Sequence, residues 1–339
     1  MKLKERIEAL TFLGEEIRDK SEWLSAPIGR AYIENKWFTS ENTWKALEAI
    51  HIQFLQKSIL ESWSSHYDIV DKVDKKKVGL VLAGNIPLVG FHDLLSTFVS
   101  GHHSIIKSSS KDSVLLEALI NRMTDEFPET KSYFEFTSRL KNFDAVIATG
   151  SNNSSRYFEQ YFGKYPNIIR KNRSAVAVLD GTESKDDILS LGEDIFNYFG
   201  LGCRNVSKLY VPENYNFDFL LGVLHDEFKE LANHNKYRNN FDYNNALFLL
   251  NKVDFLMSGS LIITESRDIT SRIATLHYEP YSSVDNLSNH LNEVMDQIQC
   301  VVSKISIPDI HSFDFGEAQK PSISDYADGI DTMQFLKTL

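Results

Sequence analysis

The chain has 339 residues, of which 42% are hydrophobic and 24% are charged, a composition typical of a soluble globular protein long enough for two domains. Its formal net charge of −11 disfavours a nucleic-acid-binding protein, because no basic domain offsets the acidic residues. No apolar run reaches the length needed to span a bilayer. The charged and apolar positions of residues 1–20 predict an amphipathic helix rather than a signal peptide.

The two cysteines, Cys203 and Cys300, lie far apart in the sequence and form no CxxC motif. Together with the expected lack of a signal peptide, this indicates a reducing compartment, so we expect a cytoplasmic protein without disulfides. Cys300 lies in a valine-rich, strand-like run, where we expect a structural role.

Residues 1 to about 68 predict helices. Apolar residues such as Leu47 and Ile50 recur three or four positions apart and form one face of a helix. The period then changes, because residues 78–83 form a continuous apolar run. Such a run predicts a buried strand, which here feeds a loop at residues 84–87.

Strands and helices alternate over the following hundred residues. Apolar runs at 104–107, 144–148 and 174–179 predict further strands, with helix-like segments between them. This alternation indicates parallel βαβ units in a doubly wound sheet. We therefore expect N-terminal helices and a dinucleotide-binding domain in residues 1–184.

A second unit is expected to begin at residue 185 with a helix that leads to Cys203. The pattern predicts strands at 207–212, 259–264 and 300–307, a helix over 217–234, and a polar surface connection at 233–245. We expect a catalytic domain in residues 185–303. The remaining segment, 304–339, would return to the cofactor domain or form a dimer interface.

Three polar segments fall where predicted strands end: Asn85, Lys107 and Gly150-Ser151. Ligands of doubly wound sheets bind at such junctions. Gly150-Ser151 suits a pyrophosphate, because small residues let phosphates reach the free amides of a helix N-terminus. The GxGxxG fingerprint is absent, so a plain strand-to-helix turn is the alternative.

Lys107 ends a strand where a cation can meet a ribose or a phosphate. Ser109, Ser110 and Lys111 add hydroxyl groups and a second positive charge. An acidic residue here would repel a 2′-phosphate, whereas lysine favours it. The alternative is a helix N-cap, which Ser109 or Ser110 would serve.

Cys203 lies between an aromatic, helix-like stretch and an apolar strand-like run, directly after Gly200 and Gly202. Glycines permit a tight turn and the close approach of another molecule to the sulfur, so covalent catalysis is one interpretation. A small buried hydrophobic residue is the other. Asn85 has an amide that can donate to a developing oxyanion, or it forms a turn.

Taken in chain order, the segments AGNIPL, IIKSSS and ATGS and the glycine-flanked cysteine resemble the aldehyde dehydrogenase superfamily, with similar spacing. Within it, the chain is most similar to the acyl-CoA reductases related to the fatty-acid reductase of bacterial luciferase operons. The terminal stretch QKPSISDYADGIDTMQFL resembles the C-terminal signature of that subgroup. The resemblance covers roughly residues 78–339. It implies an α/β, aldehyde dehydrogenase-like fold with a Rossmann-like cofactor domain and an α/β catalytic domain.

The resemblance also implies roles for individual residues. Cys203 would be the nucleophile, and Asn85 with the Cys203 backbone N–H would form the oxyanion hole. Lys107 would contact the adenosine ribose, and Gly150-Ser151 would lie at the pyrophosphate. Ser110 stands where NAD-preferring members often carry a glutamate, which favours NADPH, with NADH as the alternative.

One departure from the superfamily is informative. Hydrolytic aldehyde dehydrogenases carry a general-base glutamate in a Leu-Glu-Leu-Gly-Gly segment, whereas residues 168–174 contain no acid here. Without such a base, water is poorly activated against a thioester, which favours acyl-CoA reduction. The family's glutamate for the nicotinamide ribose has two candidates, Glu265 and Glu279. Adjacent His102 and His103 point apart on regular structure, so we expect no metal site.

We hypothesise a reductase that converts fatty acyl-CoA and NADPH to fatty aldehyde through a thioester on Cys203. One alternative is acyl transfer from acyl-CoA through Cys203 without hydride transfer. The other is a non-catalytic nucleotide-binding relative. Because homologous folds form dimers through extended arms, the resemblance also implies a homodimer.

Overall fold

The computed structural model describes residues 1–71 and 74–339. The contacts within the chain divide it into two compact units. The first unit contains residues 1–172 and 321–339, and the second contains residues 173–320. Each unit has its own sheet and its own hydrophobic core.

The first unit begins with helices, as the sequence predicts. They are α1 (Leu3–Arg18), α2 (Ser25–Glu34), α3 (Ser40–Phe54) and α4 (Lys57–Ser65). Thr39 caps α3, because its side chain accepts a hydrogen bond from the Asn42 amide that the helix leaves without a partner. Leu47 and Ile50 are buried in the core of this unit, so the apolar face of α3 points inward.

Five parallel strands form the sheet of the first unit, in the order β3-β2-β1-β4-β5. The strands are β1 (Lys77–Val81), β2 (His103–Lys107), β3 (Phe134–Phe136), β4 (Ala145–Thr149) and β5 (Asn167–Arg170). The helices between them are α5 (Phe91–Val99), α6 (Val114–Glu126) and α7 (Asn152–Phe162). The doubly wound parallel fold expected from the sequence is confirmed. The strand order reverses between β1 and β4, which is where such sheets bind ligands.

The second unit contains a seven-stranded sheet in the order β12-β11-β6-β7-β10-β9-β8. Its strands are β6 (Ser174–Val178), β7 (Val206–Pro212), β8 (Leu256–Met257), β9 (Ile262–Glu265), β10 (Thr275–Tyr281), β11 (Ile298–Ser303) and β12 (Ser312–Phe313). Neighbouring strands are parallel, apart from β8 and β9. The helices are α8 (Lys185–Phe196), α9 (Asp218–Phe228), α10 (Asn235–Asn251) and α11 (Val284–Glu293).

The unit boundaries differ from those expected at residues 184 and 303. Strand β6 precedes residue 184, yet it pairs with β7 and β11, so the second unit begins at residue 173. An apolar run does not show which sheet its strand joins. At the other end, residues 304–320 stay in the second unit, and 321–339 belong to the first.

The polar stretch 233–245 was expected to be a surface connection, and this prediction is wrong because most of it lies in α10. Tyr237, Phe241 and Asn244 are buried, and they recur three or four positions apart. A narrow stripe of this polar helix therefore faces the core. Among the described residues, none of the helices is both long and apolar enough to cross a membrane.

Buried hydrogen bonds hold the final segment, which includes α12 (Thr332–Lys337), to the rest of the first unit. Trp63 Nε1 donates to the Tyr326 hydroxyl at 2.8 Å. Arg170, the last residue of β5, donates from Nη2 to the Thr332 hydroxyl at 2.9 Å. Its Nη1 also donates to both carboxylate oxygens of Asp93, at 2.7 and 2.8 Å. One guanidinium thus joins β5, α5 and α12.

Candidate active site

Cys203 lies in a turn between the 3-10 helix Asn197–Gly200 and strand β7, and it is half-buried. The backbone before it is unusual. Tyr198, Phe199 and Gly200 all have positive φ, of 54°, 59° and 72°. The left-handed region suits glycine but strains bulky aromatic residues. Such strain persists only where the surroundings enforce it, and it clusters at functional sites.

Asn205 stabilises this turn through hydrogen bonds of its side chain. Its side chain is buried, and its Oδ1 accepts a hydrogen bond from the Gly202 amide at 2.7 Å. Its Nδ2 donates to the carbonyls of Asp194 and Asn197 at 3.0 and 2.8 Å, which lie at the end of α8. One side chain therefore fixes the backbone on both sides of the strained residues and holds Cys203 at the start of β7.

Cys300 lies close to Cys203, which the sequence does not indicate. It is buried on β11, and burial raises the pKa of its thiol to about 12, with the nearby Cys203 sulfur adding to the rise. Arg204 opposes the rise in pKa, mainly through the positive charge of its guanidinium and also through a hydrogen bond to the Cys300 sulfur. Cys300 is therefore a protonated, buried thiol close to the candidate nucleophile, consistent with a structural role.

A second buried residue holds the chain beside the Cys203 turn. The carboxylate of Asp194, on α8, accepts hydrogen bonds from the Gly316 and Ala318 amides at 2.7 and 3.1 Å. Arg204 donates from Nη1 to the Ala318 carbonyl at 3.3 Å. Burial raises the pKa of Asp194 to about 7, and the two amide donors oppose that rise. The segment 316–318 is thus fixed from both sides.

In the first unit, Asn85 lies in the loop that follows β1. We call residues 82–90 the Asn85 loop. Gly84 packs so closely against the next segment that a Cβ at this position would lie 2.6 Å from the Ser109 Oγ. Leu88 has a positive φ of 57°, and its amide donates to Asp112 Oδ2 at 2.7 Å. The loop is therefore fixed on both sides of Asn85.

The residues after β2 form a compact turn, residues 108–112, which we call the serine turn. Ser109 Oγ accepts a hydrogen bond from the Lys111 amide at 3.2 Å, and Asn35 Nδ2 donates to the Lys111 carbonyl at 3.3 Å. Ser110 and Lys111 are exposed, and Lys107 is half-buried. The alternative in which Ser109 or Ser110 caps the next helix is wrong, because the N-cap position of α6 is Ser113.

Gly150 and Ser151 join β4 to α7. Ser151 is the N-cap residue of this helix, and its Oγ accepts a hydrogen bond from the Ser154 amide at 3.3 Å. A Cβ at residue 150 would lie 2.8 Å from the Phe158 ring, so only glycine fits without movement. The turn therefore presents small residues at a helix N-terminus, which is the arrangement that binds phosphates.

The candidate residues fall into two groups. Asn85, the serine turn and Gly150-Ser151 follow β1, β2 and β4, which are neighbours in one parallel sheet. They therefore share the carboxyl edge of that sheet, at the reversal of strand order. Cys203 belongs to the second unit, at the amino end of β7.

Neither glutamate considered for the nicotinamide ribose lies near Cys203 along its own sheet. Glu265 is the last residue of β9 and is exposed. Glu279 is opposite Tyr210, four residues after the start of β7, or about 13 Å along the strand from its amino end. The buried Lys208 binds the Glu279 carboxylate at 2.5 Å, so this glutamate forms a structural ion pair.

The acid-free segment 168–174 and the adjacent histidines, His102 and His103, both make hydrogen bonds within the first unit. The acid-free segment 168–174 contains Arg170, which is bound to Asp93 and Thr332 as described above. His102 and His103 bind different elements, through the carbonyls of Leu336 and Ser132. Within residues 1–71 and 74–339, no group of three or more metal-ligating side chains is found.

The fold is that of the aldehyde dehydrogenases. The structure aligns with aldehyde dehydrogenase 21 from Physcomitrella patens with a TM-score of 0.70 and 13% identity, over 100% of this chain and 84% of that one. An NAD-dependent aldehyde dehydrogenase from Sinorhizobium meliloti aligns with a TM-score of 0.65 and 12% identity, over 89% and 70% of the two chains. The fold class implied by the sequence motifs is thereby confirmed. By its fold, this is an aldehyde dehydrogenase-like α/β protein. Its half-buried Cys203, in front of a strand, is a candidate nucleophile.

The chain belongs to the acyl-CoA reductase (LuxC) family, whose model matches residues 36–217, just over half of its length. Long-chain acyl-protein thioester reductase 2 of Photobacterium leiognathi is 25% identical over 213 residues, which are 57% of this chain and 45% of that protein. The long-chain acyl-protein thioester reductase of Aliivibrio fischeri is 25% identical over 222 residues, 59% and 45% of the two chains. The matched region thus spans about half the length of these relatives.

Proposed function

We propose that this protein reduces a fatty acyl thioester, acyl-CoA in the first instance, to the aldehyde through an acyl-cysteine on Cys203. The observation that carries the proposal is the Cys203 turn. A half-buried thiol follows strained left-handed residues and is fixed by Asn205. Membership of the acyl-CoA reductase (LuxC) family supports the choice of substrate class.

The proposed reaction uses the residues of this chain as follows. The Cys203 thiolate attacks the thioester carbonyl, and Asn85 donates a hydrogen bond to the oxygen as it becomes an oxyanion. The carbon–sulfur bond to coenzyme A then breaks, and the departing thiolate takes a proton from water. A hydrogen-bond donor such as the Asn85 amide stabilises the transition state by about 2.7–4 kcal/mol in acyl-transfer enzymes. After hydride addition to the acyl carbon, the Cys203–carbon bond breaks, which releases aldehyde and restores the thiolate.

The first unit offers groups that fit a nicotinamide dinucleotide, which when bound supplies the hydride. Gly150 leaves no space for a side chain, and Ser151 begins α7, so the pyrophosphate would lie at this helix N-terminus. Lys107 would hold the adenosine ribose, together with Ser109, Ser110 and Lys111 of the serine turn.

We further propose that NADPH is the preferred cofactor. Ser110 and Lys111 are exposed on the serine turn, whereas the carboxylate of Asp112 points into the protein toward Leu88. The exposed face of the turn therefore carries hydroxyls and a positive charge, which suit a 2′-phosphate.

Persistence of the acyl-enzyme is part of the proposal. The segment between β5 and β6, where hydrolytic relatives of this fold carry a base, has basic and polar residues instead. Arg170 at its start is committed to Asp93, and Lys171 pairs with Glu159 at 3.2 Å. Without a base to activate water, hydride or a returning thiol resolves the thioester.

Labelling with radioactive long-chain acyl-CoA tests the function. The wild-type chain should take up one acyl group, Cys203→Ala none, and Cys300→Ala one, since Cys300 is the matched cysteine that is buried and protonated. Addition of NADPH should release the label as aldehyde with loss of absorbance at 340 nm. Stoichiometric labelling of Cys203→Ala would refute the role of Cys203. Label that leaves only to another acyl acceptor, without NADPH oxidation, would show acyl transfer instead.

A further inference from the structure

We propose that Asp112 is a positioning residue that holds the Asn85 loop against the serine turn, and so places the oxyanion donor for acylation of Cys203. The inference rests on the function proposed above and deepens it. Asp112 is not one of the groups proposed to touch the substrate. It acts through the backbone on either side of Asn85.

The first contact is a hydrogen bond to the far side of the loop. Asp112 Oδ2 accepts from the Leu88 amide at 2.7 Å, and both residues are buried. Leu88 has a positive φ of 57°, a conformation that a branched side chain adopts at a cost of about 1–3 kcal/mol. An external acceptor at this amide is what holds such a residue in place.

The second contact fixes the near side of the loop. A Cβ on Gly84 would lie 2.6 Å from the Ser109 Oγ and 3.2 Å from the Asp112 Cβ. The backbone at Gly84 therefore rests directly on the serine turn. Asn85 is the next residue, so its amide is placed between two fixed points, Gly84 and Leu88.

Burying the carboxyl group of Asp112 to make this contact costs stability, which argues for a function. No described residue donates to its Oδ1, which is buried. Burial raises the pKa of Asp112 to about 7, and the hydrogen bond from Leu88 opposes the rise. No charged side chain of the described residues contributes to that shift, and the adjacent Lys111 is exposed. Perturbed carboxyl groups of this kind concentrate at functional sites.

A helix-capping role does not explain the residue. The N-cap position of α6 is Ser113, and the helix begins at Val114. The Asp112 carboxylate instead crosses to a different segment of the chain, 24 residues earlier. Its hydrogen bond therefore serves the Asn85 loop rather than the helix that follows it.

Single-turnover acylation of the full-length chain tests the inference, measured as the rate of Cys203 labelling by acyl-CoA without NADPH. Asp112→Ala removes the acceptor, and we expect a loss of about 10- to 100-fold in rate, since a displacement of 1 Å can cost about 100-fold. Asp112→Asn keeps an acceptor oxygen for Leu88 and should label within about 3-fold of wild type at pH 8, since the bond to Leu88 is retained. The matched control is Asp144→Ala. Asp144 Oδ2 also accepts one backbone amide, that of Lys77, but at the opposite edge of the same sheet.

The pH dependence of the labelling rate shows whether Asp112 positions the Asn85 loop or only stabilises the fold. The ionised carboxylate accepts the Leu88 hydrogen bond more strongly than the protonated acid does. The ratio of wild-type to Asp112→Asn labelling rates should therefore rise with pH through about 7, the pKa of Asp112. Taking this ratio cancels the ionisation of the Cys203 thiol, which both variants share.

The outcomes distinguish the two proposals. A wild-type chain that acyl-CoA does not label refutes the proposed function. A labelled wild type with Asp112→Ala equally fast, or with Asp144→Ala equally impaired, refutes the role of Asp112 alone. If Asp112→Ala does not fold, Gly84→Ala tests the same contact from the other side, because its new Cβ pushes the loop away from Ser109. Wild-type labelling by Gly84→Ala would then overturn the inference.

Discussion

Replacing Asn205 with alanine should destabilise the second unit and displace Cys203 together. The side chain is buried and makes well-formed bonds to Gly202, Asp194 and Asn197, at 2.7, 3.0 and 2.8 Å. A typical hydrogen bond contributes about 1 kcal/mol net, and a buried group left without a partner costs about 1–3 kcal/mol. We therefore expect a loss of about 3–4 kcal/mol in the free energy of unfolding.

Asn244→Ala provides the matched control. Asn244 is also a buried asparagine of the second unit, but it makes one hydrogen bond, from Nδ2 to the Ile273 carbonyl at 2.9 Å. Its replacement should cost about 1 kcal/mol, the value of a single bond. The four tryptophans lie within residues 1–172, so urea unfolding should be followed by far-ultraviolet circular dichroism rather than by tryptophan fluorescence.

The same pair of variants should differ in the chemistry of Cys203. Without Asn205, the Gly202 amide loses its acceptor and the strained residues Tyr198 and Phe199 can relax. Acylation of Cys203 should then fall at least about 10-fold, since misplaced groups lose the benefit of fixed orientation. If Asn205→Ala is no less stable than Asn244→Ala and labels equally fast, the side chain does not organise the turn.

Three further variants test the ion pair and the cofactor preference. Lys208→Met should cost about 2–4 kcal/mol, because it leaves the Glu279 carboxylate without the cation that binds it at 2.5 Å. Glu279→Gln should cost a similar amount, and equal stability of both variants with wild type in urea would contradict the pairing. Ser110→Glu should shift the ratio of kcat/KM from NADPH toward NADH by at least about 10-fold, because a carboxylate repels the 2′-phosphate. An unchanged ratio would show that the serine turn does not read the ribose.

The strands and helices around the carboxyl edge of the first sheet could be predicted because their local sequence patterns agree. β1, β2 and β4 are short, mostly apolar and buried runs, and glycine, asparagine, lysine or serine stands at or shortly after the end of each. Parallel strands covered on both faces read as such continuous runs. Since each helix returns the chain to the amino edge, every strand ends at the opposite, carboxyl edge, and the sequence therefore predicts that Asn85, Lys107 and Gly150 share that edge.

The partition of strands between sheets could not be predicted in this way. β6 has the same apolar composition as its predecessors, and its membership of the second sheet depends on pairing with β7 and β11, which come later in the chain. Likewise, the closeness of Cys300 to Cys203 depends on the position of β11 in the sheet. Neither fact has a local sequence signal. In α10, by contrast, Tyr237 and Phe241 are four residues apart and did carry a weak helical signal.

Two buried aspartates, missed by sequence analysis, connect both candidate regions to the stability of the fold. Asp112 and Asp194 each accept backbone amides of irregular segments, and burial raises the pKa of each from 3.8 to about 7. Each aspartate ionises near pH 3.8 in the unfolded chain and near pH 7 in the folded chain. Between these two pH values the folded chain therefore binds more protons than the unfolded chain. Each protonated carboxyl group therefore contributes its full share of the free energy of unfolding below pH 3.8. That contribution, up to about 4 kcal/mol, is lost as the pH rises to about 7.

The free energy of unfolding should consequently fall between pH 5 and pH 7.5, and Asp112→Asn should make that decline shallower by removing one of the two groups. A decline that is identical in wild type and variant, measured by urea unfolding at each pH, would contradict the assignment. A sequence selected for stability alone would fill both positions with neutral residues. Here the two carboxyl groups fix the Asn85 loop and the segment beside Cys203. The chain therefore has lower stability at neutral pH but a fixed geometry at the candidate site.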